Sequence, residues 1–344
     1  MKAARLYEAN KPLKIEKIPI PEIGSKDVLI EVKASIIDGT VSHFTRGRFA
    51  PPQLPITLGW ETSGILANVG SEVTHLKKGD RVILNCIVWT CGKCYFCLTG
   101  RERICPTRGY HGGSLDGSFA EYVKASAENV FLLPENIPFD QGAVLSDSLP
   151  TAFNATALRG KIKGGDTVAI FGVGNVGMNA VQLANILGAA KVIAIDIADG
   201  KLQTAKQLGA DKTVNATRED PVNRVRELTG GEGVDVAIEC VGIKKTLEQT
   251  VQSTRRGGRA VFVGIGAGQN MEIDPLAITM QEIEVTGSWG YNRTVFPRLI
   301  EMVTSGRINL SKAISVKVSL ENINEGIELL EKDKNIIGVL VEPK

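Results

Sequence analysis

The run Thr167-Val168-Ala169-Ile170-Phe171-Gly172-Val173-Gly174-Asn175-Val176-Gly177 decides how the second half of this chain folds. Thr167–Phe171 reads as a buried strand, and Asn175–Leu187 reads as a helix with Val176, Ala180, Leu183, Ala184 and Leu187 on one face. Between them lies a Gly-x-Gly-x-x-Gly turn. Each glycine meets a separate need. Gly172 permits the tight turn, Gly174 lets a pyrophosphate approach the backbone, and Gly177 lets the helix pack on the strand. The helix start offers free N–H groups and a dipole that favour phosphate. Asp196 closes the next strand, Lys191–Asp196, 19 residues beyond Gly177. A carboxylate there suits ribose hydroxyls and repels a 2′-phosphate, and no Arg follows at once, so NAD is expected over NADP.

Working outward, the helix Lys201–Leu208 closes on Gly209, and strands follow at Lys212–Val214, Val234–Glu239, Arg259–Gly264 and Glu284–Gly287. This alternation predicts an α/β, doubly wound parallel sheet. Ahead of Gly164 the texture differs. In Asp27–Ser35, Val28, Ile30, Val32 and Ala34 alternate with other residues as in a half-buried strand, and Pro12, Pro19, Pro21, Pro51, Pro52 and Pro55 punctuate the half. That pattern suits a β-rich, barrel-like domain. A late helix, Val295–Thr304, and a terminal strand, Ile337–Glu342, read as a return to it. The expected division is a substrate domain over 1–152 with a metal lobe at about 86–110, a nucleotide-binding domain over 153–293, and a returning segment over 294–344.

The lobe is marked by Cys91-x2-Cys94-x2-Cys97-x7-Cys105. Four thiolates can close a tetrahedral shell around zinc and leave no position for substrate, so a structural zinc is expected ahead of an iron–sulfur cluster. Cys86 and Cys240 fall outside the cluster, and Cys240 reads as a core residue. The 344 residues carry 40 Lys and Arg against 38 Asp and Glu, a balance that argues against nucleic acid or an anionic membrane as partner. Met1–Gly24 has no apolar core, and no apolar run reaches the roughly 18 residues of a membrane span. A cytoplasmic protein without disulfides is expected.

These features together resemble the zinc-containing medium-chain alcohol dehydrogenase family, and the likeness runs end to end. It includes Leu58-Gly59 before an acidic position, Gly79-Asp80-Arg81-Val82 before the lobe, and Gly117-Ser118-Phe119-Ala120-Glu121-Tyr122 after it. The resemblance implies a GroES-like substrate domain beside a Rossmann domain, hydride transfer between NAD and a small-molecule substrate, and a homodimer or homotetramer. It also implies roles. Asp196 and Lys201 would hold the adenosine ribose, and Val241, Val263 and Ile265 would line the nicotinamide end. Arg293, in Trp289-Gly290-Tyr291-Asn292-Arg293, would neutralise the pyrophosphate.

The chain departs from the family at the catalytic zinc. Asp38 stands where the resemblance implies a Cys ligand, and Trp60, in Gly59-Trp60-Glu61, stands for the His ligand. Asp147 matches the third ligand, and Val41 takes the place of an acid expected behind the first. An indole cannot coordinate a metal, and Asp38, Glu61 and Asp147 offer oxygen alone, so a metal-free pocket is expected. The alternative keeps the zinc with Glu61 drawn into its shell. Thr40 and His43 match the family's proton relay. Phe49, Trp60, Trp89 and Trp289 fall on segments that the family folds toward substrate, or else are ordinary core aromatics. The leading reading is NAD-dependent alcohol oxidation or carbonyl reduction. Its rivals are metal-independent NADH-dependent reduction of a carbonyl-conjugated double bond, and a catalytically silent NAD-binding protein.

Overall fold

In the computed structural model, which describes residues 1–266 and 270–343, the chain divides into two units. One is Met1–Pro150 with Tyr291–Lys344, and the other is Thr151–Gly290. Arg293 therefore belongs to the first unit.

The second unit is built on six parallel strands, lying in the order Lys212–Asn215, Lys191–Asp196, Thr167–Phe171, Val234–Glu239, Thr254–Phe262, Glu284–Gly287. Numbered along the unit this is 3-2-1-4-5-6, the order that places a dinucleotide across the C-terminal ends of the first and fourth strands. The interior of the sheet is continuous Val, Ile, Ala and Phe. Ala169, Phe171, Ile193, Ile195, Val214 and Ala237 are each at most 2% exposed. Every Val or Ile so buried stabilises by about 1.5–3 kcal/mol, and strands apolar on both faces are what a sheet covered on both sides requires.

The fifth strand corrects the expected span Arg259–Gly264. It begins at Thr254, which pairs with Val234 ahead of an irregularity, and it ends at Phe262. Val263 N makes the last ladder bond to the Glu239 carbonyl at 2.8 Å, and Gly264 N turns back onto the same carbonyl at 3.1 Å, which ends the strand. The helix after the glycine turn runs Asn175–Ile186, and Gly177–Ala184 is buried on all sides rather than along one stripe. Two further helices begin on an Asp-Pro pair. Asp220 caps Pro221–Leu228 through Asn223 N, and Asp274 caps Pro275–Gln281 through Leu276 N.

In the first unit the eleven-residue strand Asp27–Ile37 is the hub. It pairs antiparallel with Thr62–Val69, Tyr122–Ser126 and the C-terminal Val339–Glu342, which in turn pairs parallel with Val316–Ser319. Val28, Ile30, Val32 and Ala34 are at most 1% exposed, so the period-two alternation is realised. The helix Phe139–Ser146 is tied to the neighbouring strand: Thr62 N donates to Ser146 Oγ at 2.7 Å, and Ser63 Oγ donates to the Phe139 carbonyl at 2.5 Å. No helix among the described residues is long and apolar enough to cross a membrane.

Candidate functional site

The glycine turn of the second unit shows what each glycine is for. Gly172 has φ +83°, and a Cβ there would stand 2.3 Å from Val241 Cγ2. A Cβ at Gly177 would stand 2.0 Å from the Gly172 carbonyl oxygen, whereas around Gly174 nothing lies within 4 Å. The turn is thus closed where the chain crosses itself and open where a phosphate needs space. Asn175 starts the helix and is 7% exposed, yet its amide Oδ1 and Nδ2 have no partner among the described residues. Orphaned polar atoms at such a helix start fit a pyrophosphate. Asp196 Oδ2 accepts from Val173 N at 2.9 Å, and Oδ1 accepts from Ile197 N and Ala198 N at 2.8 and 3.0 Å. The carboxylate expected at the ribose is therefore pinned by the glycine turn itself. Lys201 lies on the following helix, Asp199–Gln207. Val241 leaves the fourth strand, and Val263 and Ile265 leave the fifth, so the structure brings all three to one end of the sheet. Arg293 lies in the first unit, where it forms an exposed ion pair with Glu128 at 2.9 Å.

In the lobe the sulfurs of Cys91, Cys94, Cys97 and Cys105 lie within 4.8 Å of one another, with Cys94 to Cys97 at 3.5 Å and Cys91 to Cys97 at 3.9 Å. Zinc–sulfur bonds of about 2.3 Å set tetrahedral edges of about 3.8 Å, so the thiols fit zinc. Backbone N–H groups already point at two of them, Cys94 N to Cys91 Sγ and Cys91 N to Cys105 Sγ.

The second convergence is the acid cluster of the first unit. Asp38 follows the hub strand directly and caps the helix Gly39–Thr45, its Oδ1 accepting from Thr40 N and Val41 N at 3.0 and 3.1 Å. Glu61 immediately precedes the neighbouring strand, and its carbonyl accepts from Ile36 N. Asp147 ends the helix Phe139–Ser146. Side-chain oxygens of the three acids lie within 4.8 Å of one another. Glu61 is fully buried, with Oε1 taking the Ser148 hydroxyl at 2.6 Å and Oε2 lacking a partner among the described residues.

Three carboxylates so close cannot all be ionised without a cation. Burial, then the charges of Asp147 and Asp38, pushes the Glu61 carboxyl well above the usual range. Burial, then Asp38, pushes Asp147 up to about 7. Asp38 is pushed up to about 6 by burial, against the opposing pull of its helix-start hydrogen bonds. Two neighbours that sequence reasoning missed complete the site. Tyr291 is 1% exposed, donates to the Ser146 carbonyl at 2.6 Å, and has its hydroxyl oxygen 3.5 Å from Cys86 Sγ. Burial and then Asp147 raise the Cys86 thiol. Nothing local marks either residue in the sequence, since Tyr291 opens the stretch Tyr291–Lys344 with which the chain re-enters the first unit.

Thr40 and His43 share one face of the short capped helix. His43 is half-buried, its ring edge-on to Phe49 at 5.5 Å and its Nδ1 3.4 Å from Arg48. Desolvation, then Arg48, lowers its pKa. The four aromatics expected at a substrate pocket take different surroundings. Trp60 is 7% exposed in the core, 5.8 Å from Phe44, which also meets Phe49. Trp89 covers Gly109, where a Cβ would stand 2.4 Å from the ring, and donates Nε1 to the Thr107 carbonyl at 2.8 Å. It clasps the lobe, and Trp289 lies in the second unit. The three acids offer oxygen donors, with the Cys86 thiol beside Asp147 and an indole where the resemblance implies an imidazole, and this set does not match the Cys and His shell of a catalytic zinc.

Residues 24–135 match the alcohol dehydrogenase GroES-like domain family, and residues 175–305 match the zinc-binding dehydrogenase family. Sorbitol dehydrogenase of Bacillus subtilis (strain 168) is 34% identical over 348 residues, covering 100% of this chain and 97% of its own. The NAD-dependent alcohol dehydrogenase of Sulfurisphaera tokodaii is 32% identical, covering 98% of each. Among solved structures, 2R,3R-butanediol dehydrogenase from Bacillus subtilis superposes with a TM-score of 0.90 at 31% identity, covering 100% of this chain and 99% of that one.

Proposed function

Because this chain belongs to the zinc-binding alcohol dehydrogenase family of medium-chain dehydrogenases, we propose that it oxidises an alcohol or reduces a carbonyl with NAD(H), using its acid cluster in place of a catalytic zinc. The observation that carries this reading is the convergence of Asp38, Glu61 and Asp147 within 4.8 Å, where the implied metal ligands Cys and His are replaced.

The nicotinamide, when bound, gives or takes the hydride. The rest falls to the chain. Hydride arriving at a carbonyl carbon leaves a negative oxygen that needs a proton, and an acid held near neutrality can supply it at pH 7. Asp147 is suited to that step, and Glu61, held neutral by burial, can hydrogen-bond the oxygen. Run toward alcohol oxidation, Asp147 in its ionised form receives the proton. Asp38 touches Thr40, and Thr40 shares a helix face with His43, which carries the proton to solvent.

Loss of the Cys and His donors also favours a second reading, NADH-dependent reduction of a carbonyl-conjugated double bond, whose β-carbon is electrophilic without a Lewis acid. NADH consumption with matched saturated ketones and enones separates the two. The primary reading expects ketone turnover at about one zinc per chain, the lobe's share. Turnover that requires a second metal equivalent overturns it, and turnover of enones alone favours the second reading.

A further inference from the structure

We propose that Glu239 is a positioning residue that clamps together the two loops carrying Val241, Val263 and Ile265, and so sets the nicotinamide end of the cofactor site. The proposal rests on the NAD reading above. Glu239 closes the fourth strand of the parallel sheet, between the strands Thr167–Phe171 and Thr254–Phe262, and is 0% exposed. Its side chain reaches into its own loop: Oε1 accepts from Val241 N at 2.9 Å, Gly242 N at 2.7 Å and Thr246 Oγ1 at 2.5 Å. Its main chain reaches the neighbouring loop, the carbonyl accepting from Val263 N and Gly264 N at 2.8 and 3.1 Å. One residue thus fastens the loop after each of two adjacent strands.

The loops are seated with no slack. A Cβ at Gly264 would stand 2.6 Å from Glu239 Oε2 and 2.2 Å from Gly242 N. Gly242 has φ +82°, and a Cβ there would stand 2.7 Å from Ile265 N. Backbone therefore packs on backbone, and the carboxylate fills the angle between them. An apolar residue at 239 would fill the same volume without the desolvation that a buried carboxyl carries. What it could not do is satisfy the N–H groups of Val241 and Gly242, which point at the strand end and have no other partner among the described residues. The geometry assigns Glu239 to loop placement rather than to the core of the sheet.

The test compares two ligands that share the adenosine and pyrophosphate but differ in the nicotinamide, NADH and ADP-ribose, against wild type, E239Q, E239A and G264A, with the melting temperature of each. In E239A the NADH dissociation constant and KM rise by about tenfold or more, while ADP-ribose affinity stays within about twofold. E239Q keeps one acceptor oxygen and falls between. G264A, which forces the loops apart from the other side, follows E239A. Equal weakening of both ligands in E239A, E239Q and G264A, or unchanged NADH affinity in E239A, overturns the clamp. A wild-type chain that binds ADP-ribose without NADH overturns instead the NAD reading on which the clamp rests.

Discussion

Asparagine at position 147 removes one charge from the acid cluster while keeping the side chain's size. In the folded protein, burial and the Asp38 charge push Asp147 up to about 7, against about 3.9 in an unfolded chain. Each pH unit of displacement is about 1.4 kcal/mol, so the whole span is on the order of 4 kcal/mol. The sign follows from proton counting. Between the two values the folded state binds more protons than the unfolded chain, so stability is fullest below about pH 4 and is lost as pH rises through about 7. About 3 kcal/mol of the span falls between pH 5 and pH 8. D147N does not titrate at that position, so it should gain on the wild type by about this amount across the interval. The protons are shared with Asp38 and Glu61, so the curve belongs to the cluster. Urea unfolding at pH 5, 6, 7 and 8 in zinc-replete buffer measures it, since the lobe's zinc is common to both proteins. Parallel stability curves for wild type and D147N would refute the reasoning, because they would mean that the cluster holds no shared protons for pH to remove.

Three further outcomes follow from the same geometry. The double variant D38C/W60H returns one sulfur and one imidazole to the acid cluster, and plasma emission should find about two zinc ions per chain instead of about one. G177A sets a Cβ 2.0 Å from the Gly172 carbonyl; it should lower stability by about 1–3 kcal/mol and weaken NADH, while G174A, with nothing within 4 Å, should leave the melting temperature unchanged. D196A removes the acceptor that Val173 N meets at 2.9 Å and should weaken NADH by about tenfold while narrowing its preference over NADPH, read by paired fluorescence titrations.

The parallel sheet was legible because its strands are short apolar runs between turn signals. Strand spans at 167–171, 191–196, 234–239 and 284–287 emerge directly from that pattern. The fifth strand was misread because its first half, Thr254-Arg255-Arg256-Gly257-Gly258, is polar and glycine-rich. It is held as strand by pairing with Val234, which no local signal reports. The acid cluster was legible through the resemblance, since no local signal joins Asp38, Glu61 and Asp147, which come from a strand end, a strand start and a helix end. Tyr291 and Cys86 were missed for the same reason. Where each aromatic turns was not legible, because side-chain type does not state direction: Trp60 turns into the core and Trp89 onto Gly109.

Trp60 also bears on how such a site changes over generations. A histidine at 60 alone would vacate space beside Phe44, on the order of 2 kcal/mol, and offer one nitrogen among three acids. A cysteine at 38 alone would remove the cap of the helix Gly39–Thr45, about 1 kcal/mol, with no imidazole to share a metal. Each first step destabilises before the second can return anything. Under the metal-free reading proposed above, a core-packing ring at position 60 therefore acts as a ratchet in sequence space: it makes metal-free chemistry easier to refine than to abandon.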